Sequence, residues 1–312
     1  KPVVSLAALM QVEQGLLDLD APLANYLPAL RGLSLMGGAA PRRPPTLRDL
    51  LRHTSGFAYE TEFREAAQRE IALKDDFGTR MPYVAADDFI ARLAARPLAT
   101  EPGRAFRYGY STDVLGQIVA AVDGASLGEV LRRRVFEPLG MTQTGFEVPA
   151  SEHGRLATAY AADSAWHARV PGYGLRREGR PWMECGGAGL VSTLDDFAQF
   201  ARLIANGGRH GEQRLLSASL FLEMTRNQLP EDVDGPLGFT GAGFGFGLGF
   251  AVRLDYGAPA MPCAPGELTW SGISGTALFV HPGEQWFALC FSSNMASRMM
   301  ARMEFRRAVA GT

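Results

Sequence analysis

The chain has 312 residues, of which 46% are apolar and 21% charged, and its formal net charge is -2. This length allows one large domain or two of ordinary size, and the composition excludes disordered and collagen-like chains. A net charge this close to zero does not favour a nucleic-acid or membrane-surface partner, and we expect neither.

The cysteines and histidines indicate neither a disulfide framework nor a metal site. The three cysteines are odd in number and widely spaced, which favours a reducing compartment, and we expect a cytoplasmic protein. No two of the five histidines have metal-ligand spacing, so we expect no metal and no other cofactor. No apolar run reaches the roughly 18–20 residues that a membrane helix needs.

The first part of the chain has helical patterns. Residues 2–14 are apolar almost all round, which predicts a buried helix with Gly15 as its C-terminal stop. Because the chain starts at Lys1 and not at Met, directly before this core helix, we expect the protein to begin further upstream. Asp20 and Pro22 predict another helix start. Thr46 with Asp49 predicts a capped helix that ends in the turn HTSG.

Further helices are predicted along the next 170 residues, separated by turn residues. The GGAG run that starts at Gly186 predicts a bend, and Thr193 predicts the N-cap of the helix that follows it. The predicted helices are near 60–73, 86–96, 111–123, 126–136, 193–206 and 217–227.

The pattern changes after about residue 240. The run GFGFGLGFAVRL alternates glycine with aromatic residues at strand period. The segments GELTWSGI, GTALFVHP and QWFALCFSSN predict three strands of an antiparallel meander, and residues 295–310 predict a terminal helix. A helical block followed by an antiparallel sheet predicts an α/β (α+β) fold.

Three stretches have residues suited to chemistry, and the first is Lys1. It is either a solvated chain end or the last residue of an S-x-x-K motif whose serine lies three residues upstream, outside this chain. That spacing places serine and lysine one helical turn apart on one face, so the amine can reach the hydroxyl.

The second stretch is RAFRYGYSTDVLGQIVAA, where Tyr108 and Tyr110 precede a helix. They are either core or rim aromatics, the usual place of tyrosine, or part of a Y-x-[N/S/Y] motif in which Tyr108 moves a proton. A phenol, with an ordinary pKa near 10, does this only where a nearby cation stabilises the phenolate. The lysine of an S-x-x-K helix would supply that cation.

The third stretch is TWSGISGT. Trp270, Ser271 and Gly272 are either a strand end with a packed indole or the K-T-G position of serine penicillin-recognising enzymes, with tryptophan in place of lysine. In the second case the backbone N–H of Ile273 would join that of the nucleophile in an oxyanion hole.

These motifs follow one another in a definite order: the lysine, LLRHTSG, PG…YGYSTDVLG, PLGM, GGAGLVST and WSG. In this order the chain resembles the serine β-lactamase and penicillin-binding-protein superfamily, and within it the class C-like esterases (family VIII carboxylesterases). The resemblance spans nearly the whole chain. It implies a β-lactamase/DD-peptidase-like fold, with an α/β domain at 1–14 and 236–312, completed by an upstream segment, and a helix-rich domain at 15–235.

The resemblance also implies roles. Lys1 takes the place of the S-x-x-K lysine and Tyr108 that of the Y-x-N tyrosine, and the two accept the proton of the upstream serine. Tyr110 stands where the family often has asparagine and would shape the substrate pocket. Trp270, Ser271 and Gly272 would bind substrate.

The change from lysine to Trp270 bears on the substrate. An indole N–H cannot replace an ammonium as a carboxylate clamp, so the change disfavours β-lactams and favours uncharged small-molecule esters. We therefore expect a serine carboxylesterase for short-chain esters. The sequence leaves the oligomeric state open.

Other functions are less compatible with the motifs. An α/β-hydrolase needs G-x-S-x-G, which GISGT lacks, and we interpret His53 as a helix-end residue and not as a triad base. The GAGFGFGLGF run is not a phosphate loop because it has no GK[ST] ending. A β-lactamase, D-aminopeptidase or amide hydrolase on the same fold stays open, as does a non-catalytic sensor domain.

Overall fold

Among the described residues up to residue 240, most of the regular secondary structure is helical. The structure, a computed structural model, describes residues 1–59, 84–161, 168–170 and 182–311. The helix predicted near 60–73 lies outside these residues. In chain order the described α-helices are α1 (Pro2–Glu13), α2 (Leu47–Leu51), α3 (Ala86–Ala94), α4 (Ser111–Asp123), α5 (Leu127–Leu131), α6 (Glu137–Leu139), α7 (Leu194–Ala205), α8 (Ala218–Thr225), α9 (Leu237–Thr240) and α10 (Arg298–Ala310).

The strands form one larger antiparallel sheet and two small antiparallel pairs. The small pairs join β1 (Ala159–Ala161) to β2 (Ala168–Val170) and β3 (Arg209–His210) to β4 (Gln213–Arg214). The larger sheet contains, in chain order, β5 (Phe244–Phe246), β6 (Ala251–Arg253), β7 (Leu268–Ser271), β8 (Ala277–His281) and β9 (Trp286–Cys290). The predicted meander and the α+β class are confirmed, and GFGFGLGFAVRL forms two paired strands joined by a turn.

The main hydrophobic core surrounds α1. This helix packs against α4 and α5, and its residues from Pro2 to Leu9 are all buried, as the apolar pattern predicts. Burying a side chain such as Leu6 or Leu9 contributes about 1.5–3 kcal/mol. The same core includes side chains of α7 and β8, where α7 packs against β8 and β9, and α10 packs against β9. The division into two domains stays a prediction.

Two predicted helix boundaries are confirmed. Gly15 follows the end of α1 with a left-handed φ of 71°. Thr46 and Asp49 form the predicted capping box of α2. Asp20, in contrast, caps no helix: it pairs with Arg48 at 2.8 Å, and the 3-10 helix Leu23–Asn25 begins after Pro22. This helix stays short because Leu27 precedes a proline, which disfavours helical backbone at Leu27.

The helix predicted at 126–136 is interrupted. Ser126 caps α5 with a capping box, but Arg132–Phe136 is a π-helix that leads into α6. Pro138 explains the wider turn, since proline has no N–H to donate and its ring crowds the carbonyl group four residues before it, at Arg134.

Among the described residues, no single helix is both long and apolar enough to cross a membrane. The segments Ser111–Asp123 and Leu127–Leu139 pass that test only together, across a bend of 78°. In the same part of the chain, no group of three or more His, Cys, Asp or Glu side chains is placed to hold a metal ion.

Candidate active site

Lys1 stands at the N-terminal end of α1, where Pro2 occupies the first turn. Proline suits this position because the missing N–H would have had no helical partner. The Lys1 ammonium donates to the carbonyl oxygen of Gly187 at 2.6 Å and lies 5.0 Å from the centroid of the Tyr108 ring. The side chain is thus held inside the protein, in contact with the tyrosine that the sequence paired with it.

Tyr108 is fixed by backbone pairing on both sides. The N–H of Tyr59 donates to the Tyr108 carbonyl oxygen at 3.1 Å, and the N–H of Tyr110 donates to the Phe57 carbonyl oxygen at 2.9 Å. Gly109 permits this close approach, because a Cβ there would lie 2.2 Å from the Phe57 carbonyl oxygen. The backbone therefore places the Tyr108 ring beside Lys1 just before α4 begins.

Electrostatics keep Lys1 charged. Burial is the largest single influence and disfavours the ammonium, but Tyr108, Tyr59 and Asp113 around it raise the pKa of Lys1 above its ordinary value. Burial also raises the pKa of the Tyr59 phenol, which stays neutral. A protonated amine cannot accept a proton, so this shift favours Lys1 as a positive charge beside Tyr108 over the expected proton acceptor. The catalytic role of Lys1 stays a prediction.

Gly187 connects Lys1 to Asp113. Its carbonyl accepts from Lys1, and its N–H donates to Oδ1 of Asp113 at 2.9 Å. Oδ2 of Asp113 is buried without a hydrogen-bond partner in the described part of the chain, and burial raises the pKa of this carboxyl. The sequence analysis missed both residues. Both lie in quoted motifs, YGYSTDVLG and GGAGLVST, but a motif alone does not show which of its residues face Lys1.

Aromatic side chains cover the other side of Tyr108. Trp270, on β7, is 8% exposed and its ring centroid lies 5.3 Å from that of Tyr108. Phe239 contacts both rings, at 4.9 Å and 5.8 Å, and Phe246 lies 5.2 Å from Trp270. We call Phe106, Phe239, Phe246 and Trp270 the aromatic wall. The Trp270 Nε1–H is buried and has no hydrogen-bond partner among the described residues.

After Ser271, the chain turns back towards β8. The Gly272 N–H donates to the Thr276 carbonyl at 2.9 Å, and the Gly275 N–H donates to the Gly272 carbonyl at 3.2 Å. Ile273, in this turn, has a side chain that is 54% exposed and an N–H that donates to no described residue. A backbone N–H without a partner is what an oxyanion hole requires. The role of Ile273 stays a prediction.

The family model described as Beta-lactamase matches residues 1–312. The chain belongs to the beta-lactamase family. Protein Rv1367c of Mycobacterium tuberculosis is 33% identical to it over 292 residues, 88% of this chain and 71% of that protein. Esterase EstB of Burkholderia gladioli is 32% identical over 298 residues, 90% of this chain and 72% of that protein.

A solved structure has the same fold. EstCE1, described as "a hydrolase with promiscuous acyltransferase activity", has a TM-score of 0.81 and 28% identity, and the match covers 99% of this chain and 82% of that chain. The resemblance to esterases of the serine β-lactamase and penicillin-binding-protein superfamily is thus confirmed, and the relatives support a hydrolase.

Tyr110 differs from its expected place in this member of the beta-lactamase family. Its side chain is 2% exposed and lies in the main core, 4.7 Å from the Tyr59 ring and 6.1 Å from the Phe89 ring. Among the described residues it therefore packs in the core against Tyr59 and does not face an open pocket. The backbone pairing of Tyr110 with Phe57 explains this, since it turns the side chain into the core.

His53 packs between the polar and aromatic sides of Tyr108. It follows α2 with a left-handed φ of 56°, is buried, and lies 4.9 Å from the Tyr108 ring. Burial, and then the positive charge of Lys1, lower the pKa of His53 well below its ordinary value, so the ring is neutral. Its position at the helix end agrees with the interpretation from sequence.

Proposed function

We propose that this chain carries the acyl-transfer site of a serine carboxylesterase that hydrolyses short-chain esters through an acyl-serine intermediate. The observation that carries the proposal is the Lys1 ammonium, 5.0 Å from the Tyr108 ring centroid at the head of the buried helix α1. Relatives named as an esterase and a hydrolase support this class of reaction.

In the proposed first step, the Tyr108 phenolate, stabilised by Lys1, accepts the proton of the serine expected three residues before Lys1. The serine oxygen forms a bond to the ester carbonyl carbon, the bond to the alcohol oxygen breaks, and Tyr108 passes the proton to the departing alcohol. The Ile273 N–H stabilises the oxyanion. Water then repeats the sequence and releases the acid, which restores the serine hydroxyl.

The aromatic wall supports the choice of substrate. Around Tyr108 it presents aromatic rings, and by the resemblance Trp270 stands where K-T-G has lysine. A carboxylate-bearing β-lactam would have no ammonium from this position, whereas an uncharged ester loses little on entering an apolar surface.

Acyl transfer to an alcohol other than water is a second candidate. EstCE1, which shares the fold at 28% identity, is described as having acyltransferase activity beside hydrolysis. The acyl-serine intermediate is the same in both reactions, and they differ only in the molecule that accepts the acyl group.

The test uses the protein with the residues that precede Lys1. We expect turnover of p-nitrophenyl butyrate to exceed that of nitrocefin, and mass spectrometry to find the butyryl adduct on the serine three residues before Lys1. Tyr108→Phe should lower kcat by about 10²–10⁴-fold. Tyr256→Phe, at a tyrosine that is largely exposed, should leave it unchanged. Faster turnover of nitrocefin, or an adduct on another residue, would overturn the proposal.

A further inference from the structure

Two buried arginines one turn apart on α10 have different partners. Arg306 is 4% exposed and pairs with Glu267 through two hydrogen bonds of 3.1 and 2.6 Å. Arg302 is 8% exposed and pairs with no carboxylate in the described part of the chain. Its Nη2 donates to the Gly272 carbonyl oxygen, its Nη1 lies 3.6 Å from the Met299 sulfur, and its Nε has no partner there.

This arrangement of Arg302 does not favour stability. A guanidinium remains charged in proteins, and a buried charge without a counter-charge is costly. Burial, and then the nearby Arg298, lower the pKa of Arg302, in agreement with an unfavourable environment. The contact with the Gly272 carbonyl is therefore the feature of Arg302 that needs an explanation.

The Gly272 carbonyl belongs to the same peptide unit as the Ile273 N–H. A trans peptide directs its N–H and its C=O to opposite sides, so whatever holds one group also orients the other. The carbonyl oxygen accepts from two donors, Arg302 and the Gly275 N–H at 3.2 Å, and a rotation of the peptide would break both hydrogen bonds. A charged donor on the carbonyl also polarises the amide, which strengthens its N–H as a donor.

We propose that Arg302 is a positioning residue that holds the Gly272–Ile273 peptide with its N–H directed at the oxyanion of the reacting ester. In this proposal Arg302 acts through the peptide and not by contact with the reacting atoms. The proposal rests on the proposed esterase function and adds to it the side chain that orients one oxyanion donor.

Kinetics provide the first test, on the full-length protein with p-nitrophenyl butyrate. Losing one oxyanion donor costs about 10²–10³-fold in kcat, so Arg302→Met should lower kcat by up to about 10²-fold with little change in KM. Arg302→Lys keeps a cationic donor and should recover part of that loss. Arg306→Lys, the matched control, weakens a buried ion pair on the same helix and should lower the melting temperature without lowering kcat.

The second test is independent of activity. Residues 1–312 contain five isoleucines, so ¹⁵N-isoleucine labelling gives few amide signals from this part of the protein, and Ile273→Val identifies the Ile273 resonance. Arg302→Met should shift this resonance and change its hydrogen exchange, whereas Arg306→Lys should leave it in place.

The two readouts separate the possible failures. An unchanged Ile273 resonance in folded Arg302→Met, or a kcat within twofold of the wild-type value, would show that Arg302 does not position the peptide. A wild-type protein that hydrolyses no ester would refute the proposed function instead, and the amide spectrum would still decide whether Arg302 orients the peptide.

Discussion

The two sides of Tyr108 differ in kind. On one side Lys1, Gly187 and Asp113 form a chain of hydrogen bonds around a buried ammonium. On the other side the aromatic wall packs Phe239 and Trp270 against the same ring, and the indole N–H of Trp270 donates to no described residue. In the proposed mechanism one side supplies charge for proton transfer, and the other supplies an apolar surface.

This contrast predicts that one group of residues sets the rate of reaction and the other sets the choice between substrates. A change on the Lys1 side alters the environment of the Tyr108 oxygen, which every ester uses in the proposed mechanism, so it should slow all esters alike. A change in the aromatic wall alters only what can bind beside Tyr108, so it should change the preference between substrates. Each prediction below tests one side of this division.

The largest effect is expected at Lys1. Lys1→Met keeps the length of the side chain and removes its charge, so Tyr108 loses the cation beside its ring. We expect kcat/KM to fall by about 10³-fold for both p-nitrophenyl acetate and p-nitrophenyl butyrate, measured from initial rates.

The control for this variant is Arg155→Met, which removes a cation from an exposed pair with Glu152 and should change neither rate. The division into two sides would be wrong if Lys1→Met slowed one ester at least tenfold more than the other. That result would mean that Lys1 takes part in selecting the acyl chain.

Local sequence patterns predicted much of the fold. The apolar residues of α1, the capping box of Thr46 and Asp49, and the alternating strands β7 to β9 depend on neighbours a few residues away. Where the prediction differed, a proline a few residues further on had changed the backbone, as Pro138 does before α6. The effect of a proline is local, but it competes with the helix propensities of several neighbouring residues, and their sum is small.

Local sequence patterns predicted less of the site than of the fold. Motif order paired Lys1 with Tyr108, but Gly187 meets Lys1 across 186 positions of the chain, and only the fold brings the two together. For Tyr110 the motif predicted a contact that the fold does not make. Its place in a motif predicted substrate contact, whereas its backbone hydrogen bond with Phe57 directs it into the core.

An intermediate effect is expected at Trp270. Trp270→Lys places an ammonium in the aromatic wall and should raise the ratio of nitrocefin to p-nitrophenyl butyrate turnover about tenfold, the value of one favourable charge contact near 1.4 kcal/mol. The two rates measured on the same preparation give this ratio directly.

Trp270→Phe is the matched control, since it keeps an aromatic ring and adds no charge, and its ratio should stay near the wild-type value. If the ratio of nitrocefin to p-nitrophenyl butyrate turnover does not rise in Trp270→Lys, while circular dichroism shows a folded protein, the aromatic wall is not the source of specificity.

The smallest effect is on stability and concerns His53, which lies between the two sides. Its pKa in the folded protein is well below the ordinary value of 6.5. Between these two values the unfolded chain binds more protons than the folded one, so the free energy of unfolding should fall as the pH drops below about 6.5. The slope from one such group is at most about 1.4 kcal/mol per pH unit.

Urea unfolding at pH 7.5 and pH 5.5 measures this slope. His53→Asn cannot titrate, and asparagine tolerates the left-handed backbone of this position, so the variant should lose about 1 kcal/mol less than the wild type between the two pH values. His153→Asn, at an exposed histidine, is the matched control for the substitution itself. If His53→Asn has the same pH dependence as the wild type, the pKa of His53 does not change on folding. A charged imidazolium would then be stable beside the aromatic wall, against the expectation from its burial.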